Sequence, residues 1–457
     1  MNFVGREKEL REIRQAMQQV HSSTLLYGRR RFGKTTLLRE ALKPLDGVKV
    51  IYTCKPISLS DNAQLFSSLV FEQIGLSSLS ADSFEQTFNV LKKQSTRFYL
   101  VLDEYQDLKK RADSDAVDSI FRDIIDNLSD NISLVLSGSS IRMMSALNEM
   151  DNPLFQRFAK VMKLTEMNYL ESALFYPSYS TREKIMLYSV FGGIPLLNSQ
   201  LDQSLSVEEN IIRLFVEENG SARTYVSSVV ETEILPIADA YAILRSIGNG
   251  MRKYKEIESC LRDEKSRAQL SRTLNNLLKA DLIRKKKPIN SDNKNHIYYE
   301  INNNALRFYF AYLVDSEDYI ETNNPKGYFD AHIAPSFITF VSYRFEEIVR
   351  KWFSMQASCG IRPDIMRTGT YWYNDKKRKM NGEFDVALET IHGYEIYECK
   401  FLSSPMPLSL VKEELDKVRS VDSLDIVKVG FVSSSGFESS VDGAELFTAE
   451  NVYKTME

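Results

Sequence analysis

Between an apolar run, Ser23-Thr24-Leu25-Leu26-Tyr27, and an amphipathic one, Lys34 to Leu42, stands the octapeptide Gly28-Arg29-Arg30-Arg31-Phe32-Gly33-Lys34-Thr35. Its spacing is G-x-x-x-x-G-K-[ST], and no other feature restricts the fold as much. A strand must run in and a helix must leave. The glycines let backbone N–H groups curl around phosphate oxygens, and the helix N-terminus favours the negative charge. The plain alternative is a Gly-rich turn before a helix, and the predicted strand and helix on either side argue against it. The expected cradle comprises Gly28, Arg29, Arg30, Arg31, Phe32, Gly33, Lys34, Thr35 and Thr36. Lys34 is expected at the β and γ oxygens of ATP, and the Thr35 hydroxyl on Mg²⁺.

About 70 residues further on, Phe98-Tyr99-Leu100-Val101-Leu102 ends in Asp103-Glu104. Doubly wound sheets bind ligands at the carboxyl ends of their strands. Asp103 is therefore expected to hold Mg²⁺ and Glu104 to polarise the attacking water. Ser133 to Leu136 predicts a neighbouring strand, followed by Ser137-Gly138-Ser139-Ser140. Ser139 is either a sensor of the γ-phosphate or part of a polar turn, and the sequence leaves both open.

A length of 457 residues predicts two to four domains. Lys plus Arg number 58 against 62 Asp plus Glu, which argues against a generic coat for polyanions. Local basic runs remain at Arg29 to Arg31, Arg284 to Lys287 and Lys376 to Lys379. Cys54, Cys260, Cys359 and Cys399 show no paired spacing, and the histidines are equally scattered, so neither a disulfide framework nor a zinc site is expected. The charged start, MNFVGREKEL, lacks the apolar core of a signal peptide, and no apolar run is long enough to span a bilayer. The expectation is a reduced, cytoplasmic protein with no membrane partner. Homo-oligomerisation is left open.

The patterning predicts an α/β chain in four parts: a P-loop NTPase core with a parallel sheet over 1–178, a helical lid over 179–235, a winged helix over 236–304 and a mixed α/β domain over 305–457. The core strands are Ser23 to Tyr27, Val48 to Tyr52, Phe98 to Leu102 and Ser133 to Leu136. The winged helix follows from three helical stretches (Tyr241 to Ile247, Tyr254 to Cys260, Ser266 to Lys279) before the strand segments Leu282 to Arg284 and His296 to Tyr299.

Phe3-Val4-Gly5-Arg6-Glu7, the Arg-rich phosphate loop, Leu102-Asp103-Glu104-Tyr105-Gln106 and Gly192-Gly193-Ile194-Pro195 together resemble the prokaryotic STAND ATPases related to AAA+ proteins. The resemblance covers roughly the first 235 residues. It implies Val4, Arg6 and Pro195 as base-side residues, Pro195 from a lid that closes over the nucleotide. Pro153-Leu154-Phe155-Gln156-Arg157 is similar to a family segment whose Arg lies near the phosphates, though Gln156 replaces the usual small residue.

Within Ser266 to Leu278, the positions Leu270, Leu274, Leu277 and Leu278 repeat at helical spacing and are expected to face the core. Arg267, Gln269, Ser271, Arg272 and Asn275 stay outside, where such side chains read base edges, and Lys285 to Lys287 on the wing suit phosphates. DNA is the expected partner. A solvated face or a protein-docking module is the alternative.

Gly382 to Leu388 and Tyr394 to Lys400 predict a hairpin turning at Glu389 to Gly393. Alternation places Glu398 and Lys400 on one face and Tyr397 and Cys399 on the other. Asp385 and Glu398 suit Mg²⁺, and Lys400 suits orienting or deprotonating water. This pattern resembles the PD-(D/E)XK nuclease fold, with Gly382-Glu383-Phe384-Asp385 keeping the Asp but no Pro-Asp pair. The resemblance implies Glu346, in a helix expected over Phe340 to Phe353, as the acid of that fold's first helix. The expected function is an ATP-switched protein acting on nucleic acid. The alternative is a STAND-type signalling or scaffold ATPase whose nuclease fold is silent.

Overall fold

Five short runs of apolar and β-branched residues form parallel strands in the computed structural model, which describes residues 3–111, 114–291, 293–375, 380–421 and 425–454. The strands are β1 Ser22–Tyr27, β2 Val48–Thr53, β3 Phe98–Asp103, β4 Ile132–Gly138 and β5 Lys160–Lys163. Their order is β2-β3-β4-β1-β5. Every residue of β3 and β4 is buried. Continuous burial is what a parallel sheet covered on both faces requires, and it explains why these runs do not alternate. Phe66, Phe84, Phe88 and Phe121 from the helices Leu59–Gln73, Phe84–Leu91 and Ser114–Asp126 pack in one core with Leu100 and Leu102. Burial stabilises each such ring by roughly 1.5–3 kcal/mol. Ser58 and Ser83 start two of these helices by accepting the N–H of Asp61 and Gln86. Because the strands are parallel, the segments after β1, β3 and β4 all leave at one edge of the sheet.

The chain divides into two compact units. The first runs to Met167 and includes Ile194–Leu196, and the second holds Asn168–Gly193 and everything from Leu197 on. In the second unit the helix Thr181–Phe191 begins with a reciprocal Ser180–Glu183 cap and stops at Gly192, where φ is 61°. The helices Ala240–Gly248, Tyr254–Cys260 and Glu264–Lys279 precede an antiparallel pair, β6 Ile283–Lys286 and β7 Tyr298–Ile301. The second strand starts later than the sequence predicts. His296 sits in a short helical turn, its ring 4.0 Å from that of Trp372. In helix Glu264–Lys279 the core face is Leu270, Thr273, Leu274 and Leu277, while Leu278 is only half-buried.

The helix expected over Phe340 to Phe353 extends over Ala334–Ser358, its start tolerating Pro335 in the first turn. It lies against a mixed sheet of β8 Ile365–Asp375, β9 Met380–Thr390, β10 Gly393–Lys400, β11 Ile426–Ser433 and β12 Glu445–Thr448. The order is β12-β11-β10-β9-β8, with β8, β9 and β10 antiparallel and β10, β11 and β12 parallel. The crossover helix Leu408–Arg419 covers the opposite face through Val411, Leu415 and Val418. Phe353 on the long helix meets Tyr397, with ring centroids 4.6 Å apart. Lys376 to Lys379 lie outside the described residues. Among the described residues, no helix is long and apolar enough to cross a membrane.

Candidate functional site

Gly28 leaves β1 where only a glycine fits. A Cβ there would stand 2.3 Å from the carbonyl oxygen of Leu164, and the Gly28 N–H reaches the Gly138 carbonyl at 3.3 Å. The loop turns through left-handed backbone at Arg31 (φ 71°) and Gly33 (φ 88°), and the second of these suits glycine. Arg29 and Phe32 are buried while Arg30 and Arg31 are exposed. Gly33 precedes helix Lys34–Leu42, whose first N–H groups have no partner within the helix. Lys34 is buried and donates from Nζ to the carbonyls of Gly28 at 2.7 Å and Arg29 at 3.0 Å. The Thr36 side chain is exposed, so this residue serves a cradle through its backbone alone.

Thr35 Oγ1 donates to Asp103 Oδ2 at 2.6 Å, joining the loop to the tip of β3. Glu104 follows in left-handed backbone at φ 54°. Its Oε2 accepts from Ser139 Oγ (2.6 Å), Ser139 N (3.2 Å) and Gln106 Nε2 (2.5 Å). Burial disfavours its charge, but the bonds from Ser139 and Gln106 and the nearby Lys34 outweigh that and hold its pKa below the usual carboxylate value. Ser139, Glu104, Asp103, Thr35 and Lys34 are thus linked across three strand ends. Gln106 belongs to the same network, although its sequence position gave it no role. A polar residue two places beyond a strand-end Glu was the available signal.

Arg6 is buried and ties together the carbonyls of Thr165 (2.5 Å) and Phe32 (3.4 Å) and the Glu9 carboxylate (3.1 Å). Its guanidinium braces the back of the phosphate loop. Val4 is half-buried two residues before it. Pro195 stands over the loop, its Cγ 3.8 Å from where a Gly33 Cβ would be. Arg157 is not near the phosphate loop. Its carbonyl accepts from Ser23 at the entry of β1 and its guanidinium lies 3.4 Å from Asp126, so it sits at the opposite end of the strand.

In the second unit β9 and β10 stay paired only as far as Val386 and Tyr397. Beyond that they part, and the Cys399 N–H donates instead to Asp385 Oδ2 at 3.0 Å. Glu398 is buried and its Oε1 has no hydrogen-bond partner. Burial and then the charge of Asp385 push its carboxyl well above the usual range. The same two causes raise Glu346, on the long helix, to about 7. Arg350 reaches both Glu346 (3.6 Å) and the Asp385 carbonyl. Lys400 lies 3.8 Å from Glu398 but 2.9 Å from Glu414, which also takes Lys417 at 3.1 Å. Burial works against the charge on Lys400, but Glu414, Glu398 and Asp385 prevail and raise its pKa. Among the described residues, no group of three or more His, Cys, Asp and Glu side chains is arranged to hold a metal ion. Glu414 and Lys417 come from helix Leu408–Arg419, and nothing in their i,i+3 spacing marked them beforehand.

Of the outer helix face, Ser271, Arg272 and Asn275 are exposed and Gln269 is half-buried, while Arg267 Nε is bound to the Leu261 carbonyl at 3.0 Å. The wing is docked. Lys286 pairs with Glu383 at 3.1 Å, the Ile289 N–H donates to the Thr370 carbonyl at 2.8 Å, and Asn290 Nδ2 donates to the Trp372 carbonyl at 2.7 Å. Of the three lysines expected on the wing, Lys286 is engaged in this way, while Lys285 and Lys287 are exposed.

Residues 3–201 match the family described as an ATPase domain predominantly from Archaea, and residues 309–417 match archaeal and bacterial proteins of unknown function. The Walker-type ATPase PABY2304 of Pyrococcus abyssi is similar in structure at 18% identity, with a TM-score of 0.50 over 67% of this chain and 96% of its own. The ORC2 protein of Aeropyrum pernix, in its ADPNP–ADP complexes, matches at 14% identity and a TM-score of 0.43 over 70% of this chain and 97% of its own. A Pyrococcus horikoshii STAND protein with a tetratricopeptide repeat sensor, PH0952, matches at 16% and 0.32 over 79% of this chain and 51% of its own. No curated protein matches the chain. The five-stranded parallel sheet of the first unit matches the P-loop NTPase fold.

Proposed function

We propose that the chain hydrolyses ATP and uses the cycle to control a DNA-binding winged helix and a metal-dependent nuclease-like site. The observation that carries the ATPase half is the continuous link from Lys34 through Thr35 and Asp103 to Glu104 and Ser139. Lys34 and the loop N–H groups bind and neutralise the phosphates. Thr35 and Asp103, two hard oxygen donors 2.6 Å apart, suit Mg²⁺, which when bound offsets charge on the β and γ oxygens. Glu104, ionised and fixed by Ser139 and Gln106, orients water, and Ser139 ties that carboxylate to the tip of β4. Val4, Arg6 and Pro195 flank the loop. Differential contact with the γ-phosphate supplies the switch.

For the second site the supporting observation is the orphaned Glu398 Oε1 beside Asp385 in a buried acidic pocket, which fits a divalent cation held by Asp385 and Glu398. Such a cation supplies Lewis acidity toward a phosphodiester. Lys400 offsets phosphate charge, and Glu346 completes the acidic wall. The scaffold reading has its own support, because Lys400 is already engaged by Glu414. Incubation with supercoiled and single-stranded DNA in Mg²⁺ or Mn²⁺ separates the two. Nicking that disappears in Asp385→Ala and Lys400→Ala is the expected result. Absence of cleavage in every nucleotide state leaves a silent, binding-only domain.

A further inference from the structure

A second charged cleft lies within the second unit, lined by residues other than Asp385, Glu398 and Lys400. It is bounded by helix Ala240–Gly248, the loop at Arg252, β7 and the helices Asn304–Tyr312 and Ala334–Ser358. Four guanidinium groups gather at it or just behind it, those of Arg252, Arg284, Arg307 and Arg344, against two carboxylates, Glu300 and Glu347. The carboxylates are consumed by three of these arginines. Arg284 takes Glu300 at 3.0 Å and also Glu347, while Arg307 and Arg344 reach Glu347 at 3.4 and 3.0 Å. The Arg252 guanidinium has no carboxylate partner among the described residues and lies 5.6 Å from the centre of the Tyr343 ring.

Arg344 supplies the independent observation. It is 5% exposed, it lines the cleft, and its Nε has no hydrogen-bond partner. Burial, with the repulsion of Arg284 and Arg252, lowers its pKa to about 9 despite Glu300. Buried guanidinium donors are ordinarily satisfied, so the unfilled Nε of Arg344, whose other end is held by Glu347, beside the Arg252 guanidinium that faces no carboxylate, indicates an oxyanion. Two positive charges in excess match the −1.5 to −2 of a phosphate monoester at neutral pH. Ile247, Ile301, Phe340 and Tyr343 give the organic part of such a molecule an apolar wall.

We propose that this cleft binds a phosphate monoester, with Arg252 and Arg344 as its anion clamp. The ester is either a free nucleotide or the terminal phosphate of a nucleic-acid end. The proposal does not depend on the reading of the ATP site or the nuclease-like site.

The test uses the full chain carrying Lys34→Ala, so that the phosphate loop no longer competes. Calorimetry with AMP is expected to show saturable binding, with adenosine inert and inorganic phosphate weaker than AMP. Arg252→Gln, at a half-exposed position, should weaken AMP by at least about tenfold. Arg344→Lys keeps the charge, removes the Nε donor and should do the same. A 5′-phosphorylated oligonucleotide that displaces AMP, where its 5′-hydroxyl twin does not, assigns the cleft to nucleic-acid ends. Failure of both to compete assigns it to free nucleotides. The proposal is overturned by the absence of saturable heat with AMP, or by equal affinity in the folded Arg252→Gln chain.

Discussion

In the proposed ATP hydrolysis the weight falls on Glu104, one of whose oxygens collects three donors while a neighbouring lysine supplies opposite charge. Glutamine keeps an acceptor for Ser139 but not the charge. Glu104→Gln should therefore leave ATP affinity nearly unchanged and lower turnover by roughly a hundredfold or more, read in a steady-state phosphate-release assay beside an ATP titration. Gly138 controls the same network by being small. A Cβ there would meet Gln106 Oε1 at 2.3 Å and Met144 Sδ at 2.5 Å. Gly138→Ala should destabilise the first unit by about 1–3 kcal/mol through overpacking and displace Gln106, so both denaturant midpoint and turnover fall. The place of Asp103 and Glu104 at the end of β3 was legible because a short apolar run that stops at two acids marks the end of a buried strand. Gln106 was not, since its role arises from left-handed backbone at Glu104, which no local pattern announces.

Between elements the decisive contacts join β6 and β7 to the long helix and to β8. Glu300 on β7 is nearly buried. Burial raises its carboxyl, but Arg284, Arg344 and Lys286 overrule it and bring it down to about 2. A depressed folded pKa means the stabilisation is complete above the unfolded value near 4.5 and fades as pH falls from there toward 2. Wild type should lose on the order of 2 kcal/mol across that window from this group, and Glu300→Gln should flatten that limb of a urea-midpoint profile. The Lys286–Glu383 pair is partly exposed, with 25% and 28% of its side chains accessible. A double-mutant cycle should give only about 0.2–1 kcal/mol of coupling, the main hold on the wing being the Ile289 and Asn290 backbone and amide bonds. Three helices and a hairpin could be read from periodicity and turn residues. The docking could not, because Trp372 and Thr370 lie far along the chain from their partners.

At the level of the whole chain, the three helices and strand pair over 240–301 and the C-terminal sheet belong to one unit. Truncation after Asn303 should therefore not leave the three helices and strand pair folded. It removes the partners of Lys286, Ile289 and Asn290 together with helix Asn304–Tyr312, and the product should aggregate or exchange its amides rapidly in a hydrogen-exchange experiment. Sequence by itself determined the phosphate loop, the order of elements around it and the Asp, Glu and Lys positions of the second sheet, because these follow from local spacing and strand alternation. Tertiary structure alone decided that Lys400 is held by Glu414, that Arg157 lies at the far end of β1 and that the wing is docked. It also decided that three arginines, Arg252, Arg307 and Arg344, line one cleft. Each of these is a meeting of charges from distant segments, and the energy of a charge is set by what surrounds it in space.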